Sequence, residues 1–442
     1  MRLHSKKRNS TWIADRHHMA SYLLRRFLNG LLVLFGVVSL VFLIFNLKPG
    51  DPARMLADQR SSPEALAAIR QDLGLGLPLS TRYLLYLNDL SPVALMQRVD
   101  PTRPAYLDPQ RYSVAAALPL GGDRLLVVKA PYLRFSYQSR RNVTDILAEA
   151  FPNTAILAIT SMLLAVTLGM VMGTWAAVKK GTWMDGAMLG ISALGMAGPS
   201  FFVAVLFAWV GGYLWFERVP LPLLPMIALV LWGIGRWLRD HKGAWRGSGW
   251  WRYGRALPAL LLFYWLLGLF LDLPFARTTI GLPGTGLPMS GDLVDVDPFT
   301  GPFINWRHLI LPTLVLGIRP LAIVTQLTRS SLLDVLSQDH IRTARAMGLP
   351  EFDVVVKHGL RNALMPVVTA VSGWFASLLA GAVFVEYVFG WKGMGLEVFN
   401  ALEREDFPVV MGAVLVFATI FVVMNVLVDL LYAVLDPRVR TA

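Results

Sequence analysis

The chain has no cysteine among its 442 residues. Disulfides and thiolate metal sites are therefore excluded, and cysteine usage says nothing about redox compartment. Histidine is sparse: the seven residues are scattered, and His17-His18 lies in a basic tail, a poor setting for a metal pair. The sequence lacks a Gly-x-x-x-x-Gly-Lys-Ser/Thr loop, so it cannot supply its own phosphate cradle. The stretch GLPGTG at 281–286 is no substitute, because no Lys-Ser/Thr follows it. Neither His-Glu-x-x-His nor Gly-x-Ser-x-Gly occurs, which leaves metalloprotease and serine-hydrolase chemistry without a carrier. Charge is thin as well, at 16% of residues.

Apolar residues are abundant, at 55% of the chain. Several runs approach or exceed the ~20 residues that span a bilayer. An all-α polytopic membrane protein follows. The formal charge of +12 invites a nucleic-acid reading. Lys and Arg gathered in cytoplasmic loops explain it better. The stretch 239–255, RDHKGAWRGSGWWRYGR, mixes arginine with Trp245, Trp250, Trp251 and Tyr253. Between two apolar runs, this reads as a membrane interface, not an RNA-binding patch.

In chain order, 1–26 is a cytoplasmic basic tail with seven Lys/Arg against Asp15, and 27–47 is the first span, too long for a signal-peptide core. Residues 48–150 form an external region. Within it, Ser62-Pro63-Glu64 starts a short helix, and 112–118 and 125–130 flank Gly121-Gly122-Asp123 as a hairpin. The main membrane region covers 151–442. Its spans are expected at 151–178, 186–213, 308–333, 367–390 and 409–435, with an apolar hairpin at 222–273. Gly190, Gly195, Gly198 and Pro199 suit close helix packing in the third span. Five inside segments, 1–26, 179–186, 236–255, 329–361 and 438–440, hold 22 of the 41 Lys/Arg. Both termini are thereby placed in the cytoplasm.

The most informative stretch is 339–366, DHIRTARAMGLPEFDVVVKHGLRNALMP. It is polar and basic between apolar flanks, and it reads as a helix, a break at Gly348-Leu349-Pro350, and a second helix. Gly348 suits the left-handed end of the first helix. Pro350 suits the first turn of the second, with Glu351 and Asp353 near its positive end.

IRTARAMG at 341–348, followed by KHGLRNALMP at 357–366, resembles the coupling loop of ABC-importer permeases, and more narrowly the peptide/nickel family. The general motif runs Glu-Ala-Ala, three residues, Gly, nine residues, Ile-x-Leu-Pro. Here Arg342-Thr343-Ala344 takes the first triplet, and His358, Leu360 and Arg361 fall in the later block, as in the peptide/nickel variant. Further blocks are similar to that family: KPGDPA from Lys48, GLGLPLSTRYLLYL from Gly74, RFSYQSRRNVTDILAEAFPNT at 134–154, the helix from His308, GAVFVEYVFGWKGMG at 381–395, and YAVLDPRVR at 432–440.

The resemblance implies the type I importer permease fold. Six core spans plus the inserted two-helix hairpin at 222–273 give eight, and 93–131 becomes a small α+β insertion in the external loop. It implies a non-enzymatic permease forming half of a pore for peptides or similar solutes in a bacterial inner membrane. The coupling loop, 334–366, would dock on a separate ATPase. Ile341, Ala344, Met347 and Leu349 would make apolar contacts, Gly348 the break, and Arg342, Arg345, Lys357 and Arg361 ionic ones. The implied partners are membrane lipid, a second homologous permease, ABC ATPase subunits and a periplasmic or lipid-anchored solute-binding protein, with no nucleic acid. No cofactor is expected in this chain, since ATP and magnesium would sit on partner subunits.

Two charges inside apolar runs are pore or gate candidates, Arg319 and Glu386; pairing with a neighbouring helix is the alternative for Arg319, and an interfacial carboxylate for Glu386. Asn425 and Asp429 share a helix face and suit helix-to-helix bonding. Asp272, Asp292, Asp295 and Asp297 read as a solvated loop, since they have no EF-hand spacing. An ion-driven secondary transporter built on Arg319 and Glu386 is the alternative function.

Overall fold

The computed structural model describes residues 25–26, 28–46, 53, 67, 70, 74–98, 105–108, 111–222, 227, 256–270 and 279–435. Helix α1 is Leu28–Asn46. Helix α2 is Leu79–Leu90, followed by strands β1 (Val93–Gln97), β2 (Val114–Gly121) and β3 (Arg124–Lys129). Next come α3 (Val143–Val178), α4 (Trp183–Ala197) and α5 (Ser200–Phe207), which runs into a π-helical stretch, Ala208–Leu214. Strand β4 (Arg218–Pro222), α6 (Ala256–Phe270) and strands β5 (Thr279–Pro283), β6 (Val294–Asp297) and β7 (Gly301–Ile304) lead to α7 (Arg307–Leu336). Then α8 (Asp339–Ala346), α9 (Glu351–Asp353), a second π-helical stretch (Val354–Leu360) and α10 (Arg361–Gly381) follow. The described chain closes with α11 (Val383–Phe389), α12 (Met394–Glu403) and α13 (Phe407–Leu435).

Among the described residues, four helices are long and apolar enough to cross a membrane: α1, α3, α7 and Phe407–Val428 of α13. A fifth is counted if α4 and Ser200–Leu214 form one broken span. That break falls at Gly198-Pro199, where proline cannot continue the hydrogen-bond ladder. The span expected at 367–390 is divided: α10 ends at Gly381, and α11 stops at Gly390, which is left-handed (φ 61°). Of the apolar hairpin expected at 222–273, the described residues include α6, 15 residues long. The basic loop at 236–255, the tail at 1–24 and the helix start at Ser62 lie outside the described residues, as do the side chains of Asp272 and Asp429.

Two compact units divide the chain, 202–311 and the remainder. In the smaller, β4 pairs with β5 so that Pro222 stands opposite Thr279. Whatever lies between leaves and returns at one place. A second ladder there pairs β6 with β7.

In the larger unit, α2 lies along the later half of α1. Tyr83 and Ser39 hydroxyls are 2.6 Å apart, and Tyr86 stacks on Phe42 with ring centroids at 5.5 Å. The sheet order is β1-β3-β2, fully antiparallel. Its hairpin forms where the sequence places it, turning at Gly122 (φ 64°) and Asp123. Asp89 ties this module to the chain after it. Its carboxylate accepts from Tyr112 Oη at 2.8 Å and from Arg134 Nη2 at 3.1 Å, while its carbonyl accepts from Tyr132 N at 2.9 Å. Burial, reinforced by Asp89, pushes the Tyr112 phenol up, so it stays a donor.

Helix α3 meets α7 through backbone-close contacts. A Cβ on Gly173 would lie 2.5 Å from the Thr325 carbonyl and 2.7 Å from Thr328 Cβ. A Cβ on Gly169 would lie 2.8 Å from Val324, and one on Gly317 of α7 would lie 2.9 Å from the Ser161 carbonyl. Close approach of this kind is how helices associate where lipid provides no hydrophobic drive. Gly190, by contrast, meets nothing within 4 Å. Gly173→Val therefore costs about 1–3 kcal/mol by overpacking. It lowers the melting temperature of the detergent-solubilised protein, while Gly190→Val leaves it unchanged. Equal melting temperatures for the two variants would refute this packing.

Candidate functional site

Helix α8 begins after Gln338, with Asp339 in its first turn and Arg345 in its last, both favourable to the helix dipole. It ends at Gly348 (φ 75°), where a Cβ would have open space, so glycine is needed for conformation and not for room. Two bonds close that end, Gly348 N to the Arg345 carbonyl at 3.0 Å and Leu349 N to the Ala344 carbonyl at 3.4 Å. Pro350 stands one residue earlier than expected, as the cap of α9 and not in its first turn, with its carbonyl accepting from Asp353 N and Val354 N. Arg345 bridges the break by binding both carboxylate oxygens of Glu351, at 2.6 and 3.2 Å.

This elbow is fixed to α7 by apolar burial. Ile341, Ala344, Val354, Val355 and Ala363 pack with Leu332 and Val335 of α7 and Ala177 of α3. Gly359 admits the approach, because its Cβ position is 3.0 Å from Leu332 Cδ1. Burying a side chain such as Ile341 contributes about 1.5–3 kcal/mol. An exposed ion pair such as Arg345–Glu351 contributes about 0–1 kcal/mol. Apolar packing therefore holds the elbow, and the ion pairs trim its shape.

That division bears on the apolar contacts expected at the elbow. Ile341 and Ala344 are buried in the elbow's own core, and Leu349 is half-buried against it, so none of these three offers a free docking face. Met347 does stand out, 67% exposed, and so does Phe352 at 73%, which the sequence reading passed over. A phenylalanine one residue into a helix, beside two acids, was the available signal. Among the charges, Arg342 pairs loosely with Asp339, Arg345 with Glu351 and Lys357 with Asp353. Arg361 is exposed and has no ion pair among the described residues.

Three polar anchors brace the spans around α7, α3 and α12. Asp185, at the start of α4, binds Arg329 of α7 through both carboxylate oxygens at 2.6 and 2.8 Å and accepts from Gly181 N at 2.9 Å. Sequence reading missed this pair because its members lie far apart in the chain. Arg319 donates to the Gly198 carbonyl at 3.1 Å, at the Gly-Pro break. It thus takes the alternative role, pairing with a neighbouring helix, at a point where the carbonyls of α4 run out of partners.

Glu386, expected as a pore or gate candidate, is 0% exposed. Its carboxylate accepts from Thr154 Oγ1 at 2.7 Å, Gly395 N at 2.7 Å and Leu396 N at 3.1 Å. The two amides belong to the first turn of α12, where no intrahelical partner exists. Glu386 is therefore a helix cap supplied from another helix. Gly393 and Gly395 make the room, since a Cβ on Gly395 would sit 2.6 Å from Val383 Cα. Trp391, also buried, donates Nε1 to the Asn153 carbonyl at 3.0 Å and completes the tie to α3. The acids of the 292–297 loop are likewise spent on backbone amides, Leu293 N, Val296 N and Phe299 N.

Glu386→Ala leaves the Gly395 and Leu396 amides and the Thr154 hydroxyl without their acceptor, at about 1–3 kcal/mol. The expected result is a clear fall in melting temperature, partly restored in Glu386→Gln, which keeps an acceptor oxygen. An unchanged melting temperature in the alanine variant would contradict the capping role. At the elbow, the hydrogen bonds from Arg345 hold the Glu351 carboxyl below its ordinary 4.5. A depressed carboxylate contributes stability that is present at neutral pH and lost as pH falls through the depressed value. A nitroxide at position 347 should keep constant mobility from neutral pH down to the ordinary glutamate range and loosen only below it. Loosening near pH 6 would show that another group controls the elbow.

Comparison with known proteins places this geometry in a family. Residues 252–441 match the family model for the binding-protein-dependent transport system inner membrane component, and residues 19–100 match its N-terminal component. The glutathione transport system permease protein GsiC of Escherichia coli is 30% identical over 422 residues, covering 96% of this chain and 99% of the relative. The dipeptide transport system permease protein DppB of Escherichia coli is 31% identical over 430 residues, with the same coverage of each. GsiC of Salmonella typhi matches at 30%. The chain accordingly belongs to the binding-protein-dependent transport family, as the membrane permease component of an ABC importer whose ATP hydrolysis resides in a separate subunit.

Proposed function

We propose that the elbow at 339–366 is the surface on which an ATPase subunit docks. The observation that carries this is its construction. Ile341 and Ala344 are committed to the α7 core, while Met347 and Phe352 stand exposed on either side of the Gly348 break. Two large apolar side chains kept out of a core, on an elbow held to a spanning helix, suit insertion into a partner's groove. Closure of the ATPases would then move the elbow and α7 together. Gly348 shapes the docking surface, and Arg361, with no ion pair among the described residues, is the cation available to an acid on the partner.

The chain would form half of a pore with a second, homologous permease and receive its solute from a binding protein on the face opposite the elbow. Both termini would lie on the ATPase side, following the distribution of Lys and Arg. Peptides are the favoured solutes, because the relatives are named for transport of glutathione and of dipeptides. Ion-driven transport finds no support in Arg319 or Glu386, since each is engaged in bracing helices.

Replacing both Met347 and Phe352 with aspartate should leave membrane insertion and melting temperature intact. ATPase subunits should no longer co-purify with the chain in mild detergent, and ATP-driven peptide uptake should fall at least tenfold. Uptake at the wild-type rate in that double variant would overturn the docking assignment.

A further inference from the structure

The hairpin formed by β6 and β7 carries its exposure the wrong way round for water. In its register Val294 stands opposite Ile304, and Val296 opposite Pro302. Directly opposed residues share a face, so these four make one wholly apolar face, and all four are exposed. The other face carries Asp295 and Asp297, which are half-buried, and Phe303, which is 44% exposed. At the tip, Asp297 Oδ1 accepts from Phe299 N at 2.7 Å and Thr300 N at 3.1 Å, and the turn leaves Phe299 96% exposed.

The base of the hairpin is tied to the first turn of α7. His308 Nδ1 bonds the Asp292 carbonyl at 2.7 Å, and Asn305 N bonds the Leu293 carbonyl at 2.8 Å. Gly291 (φ 154°) presses against the His308 ring. The apolar face thus begins beside the first turn of α7. Trp306, exposed and immediately before α7, suits that boundary.

We infer that the β6–β7 hairpin lies on the bilayer, with Val294, Val296, Pro302, Ile304 and Phe299 seated at the headgroup–acyl boundary beside the first turn of α7. The chemistry of the face selects lipid over protein. It offers aliphatic carbon and a phenyl ring, with no side-chain donor or acceptor. No Lys or Arg occurs from 293 to 306. A protein contact would draw on arginine or tyrosine anchors within a polar rim. The face is also continuous in the chain with the first turn of α7, where Ile310 is exposed. Its role would be to fix the height and rotation of α7 at the end where no elbow holds it.

Because the chain has no cysteine, one introduced thiol reports one position. Full-length F299C, V296C and D295C chains are each assembled with their ATPase and permease partners, spin-labelled, and reconstituted into phosphatidylethanolamine–phosphatidylglycerol vesicles. Collision with oxygen, which concentrates in lipid, is compared with collision with a water-soluble nickel chelate. The expected ratio of oxygen to nickel accessibility is several-fold higher at 299 and 296 than at 295. Nickel-accessible labels at all three positions would overturn the inference, as would labels at 299 and 296 shielded from both reagents, the mark of a protein contact. If F299C fails to assemble, I304C and V296C on the same face carry the same test.

Discussion

The close approach of α3 and α7 is the constraint on which the other contacts around α7 depend. Gly169, Gly173 and Gly317 remove side-chain bulk where backbone carbonyls and neighbouring helices lie within van der Waals reach. Lipid cannot drive apolar helices together as water does, so surface complementarity at this seam has to supply the cohesion. With α7 seated, its other contacts fall into place. Arg329 reaches Asp185, Arg319 reaches the Gly198 carbonyl, and Leu332 and Val335 receive the elbow.

Two charged side chains in these helices answer the same shortage of water. A helix end inside a bilayer has amides or carbonyls that nothing outside the protein will satisfy. Glu386 supplies the acceptor for the start of α12, and Arg319 the donor for the end of α4. Both residues looked functional because charge within apolar sequence is rare. Their partners show them serving the backbone instead. The elbow is built differently: its interior is apolar, and its two large exposed side chains, Met347 and Phe352, have no place in that interior.

Much of this was legible in the sequence because it is local. Gly348 followed by Leu349-Pro350 specifies a left-handed stop and a new cap within three residues, and the elbow has that form. The hairpin at Gly122-Asp123 and the four long spans follow from equally local patterns. The face each elbow residue presents was not legible. Ile341 and Met347 are both apolar and six residues apart, and only the position of Leu332 decides which one is buried. The Asp185–Arg329 pair spans 144 residues, and the cap from Glu386 to Gly395 depends on α11 and α12 folding back on each other. Such pairings are set by tertiary packing, which composition and periodicity do not encode.

Helix α7 and the elbow are expected to move as one body, because buried carbon joins them and exposed charge does not. The most direct measurement is the distance between spin labels at positions 330, on α7, and 352, on the elbow, in the assembled transporter. Samples trapped with ATP bound and after hydrolysis would be compared, with labels at 352 and on the ATPase as a control for motion. An unchanged 330–352 distance is expected while the transporter cycles. A change of several ångströms between the two states would show that the elbow hinges on α7, and would contradict that expectation.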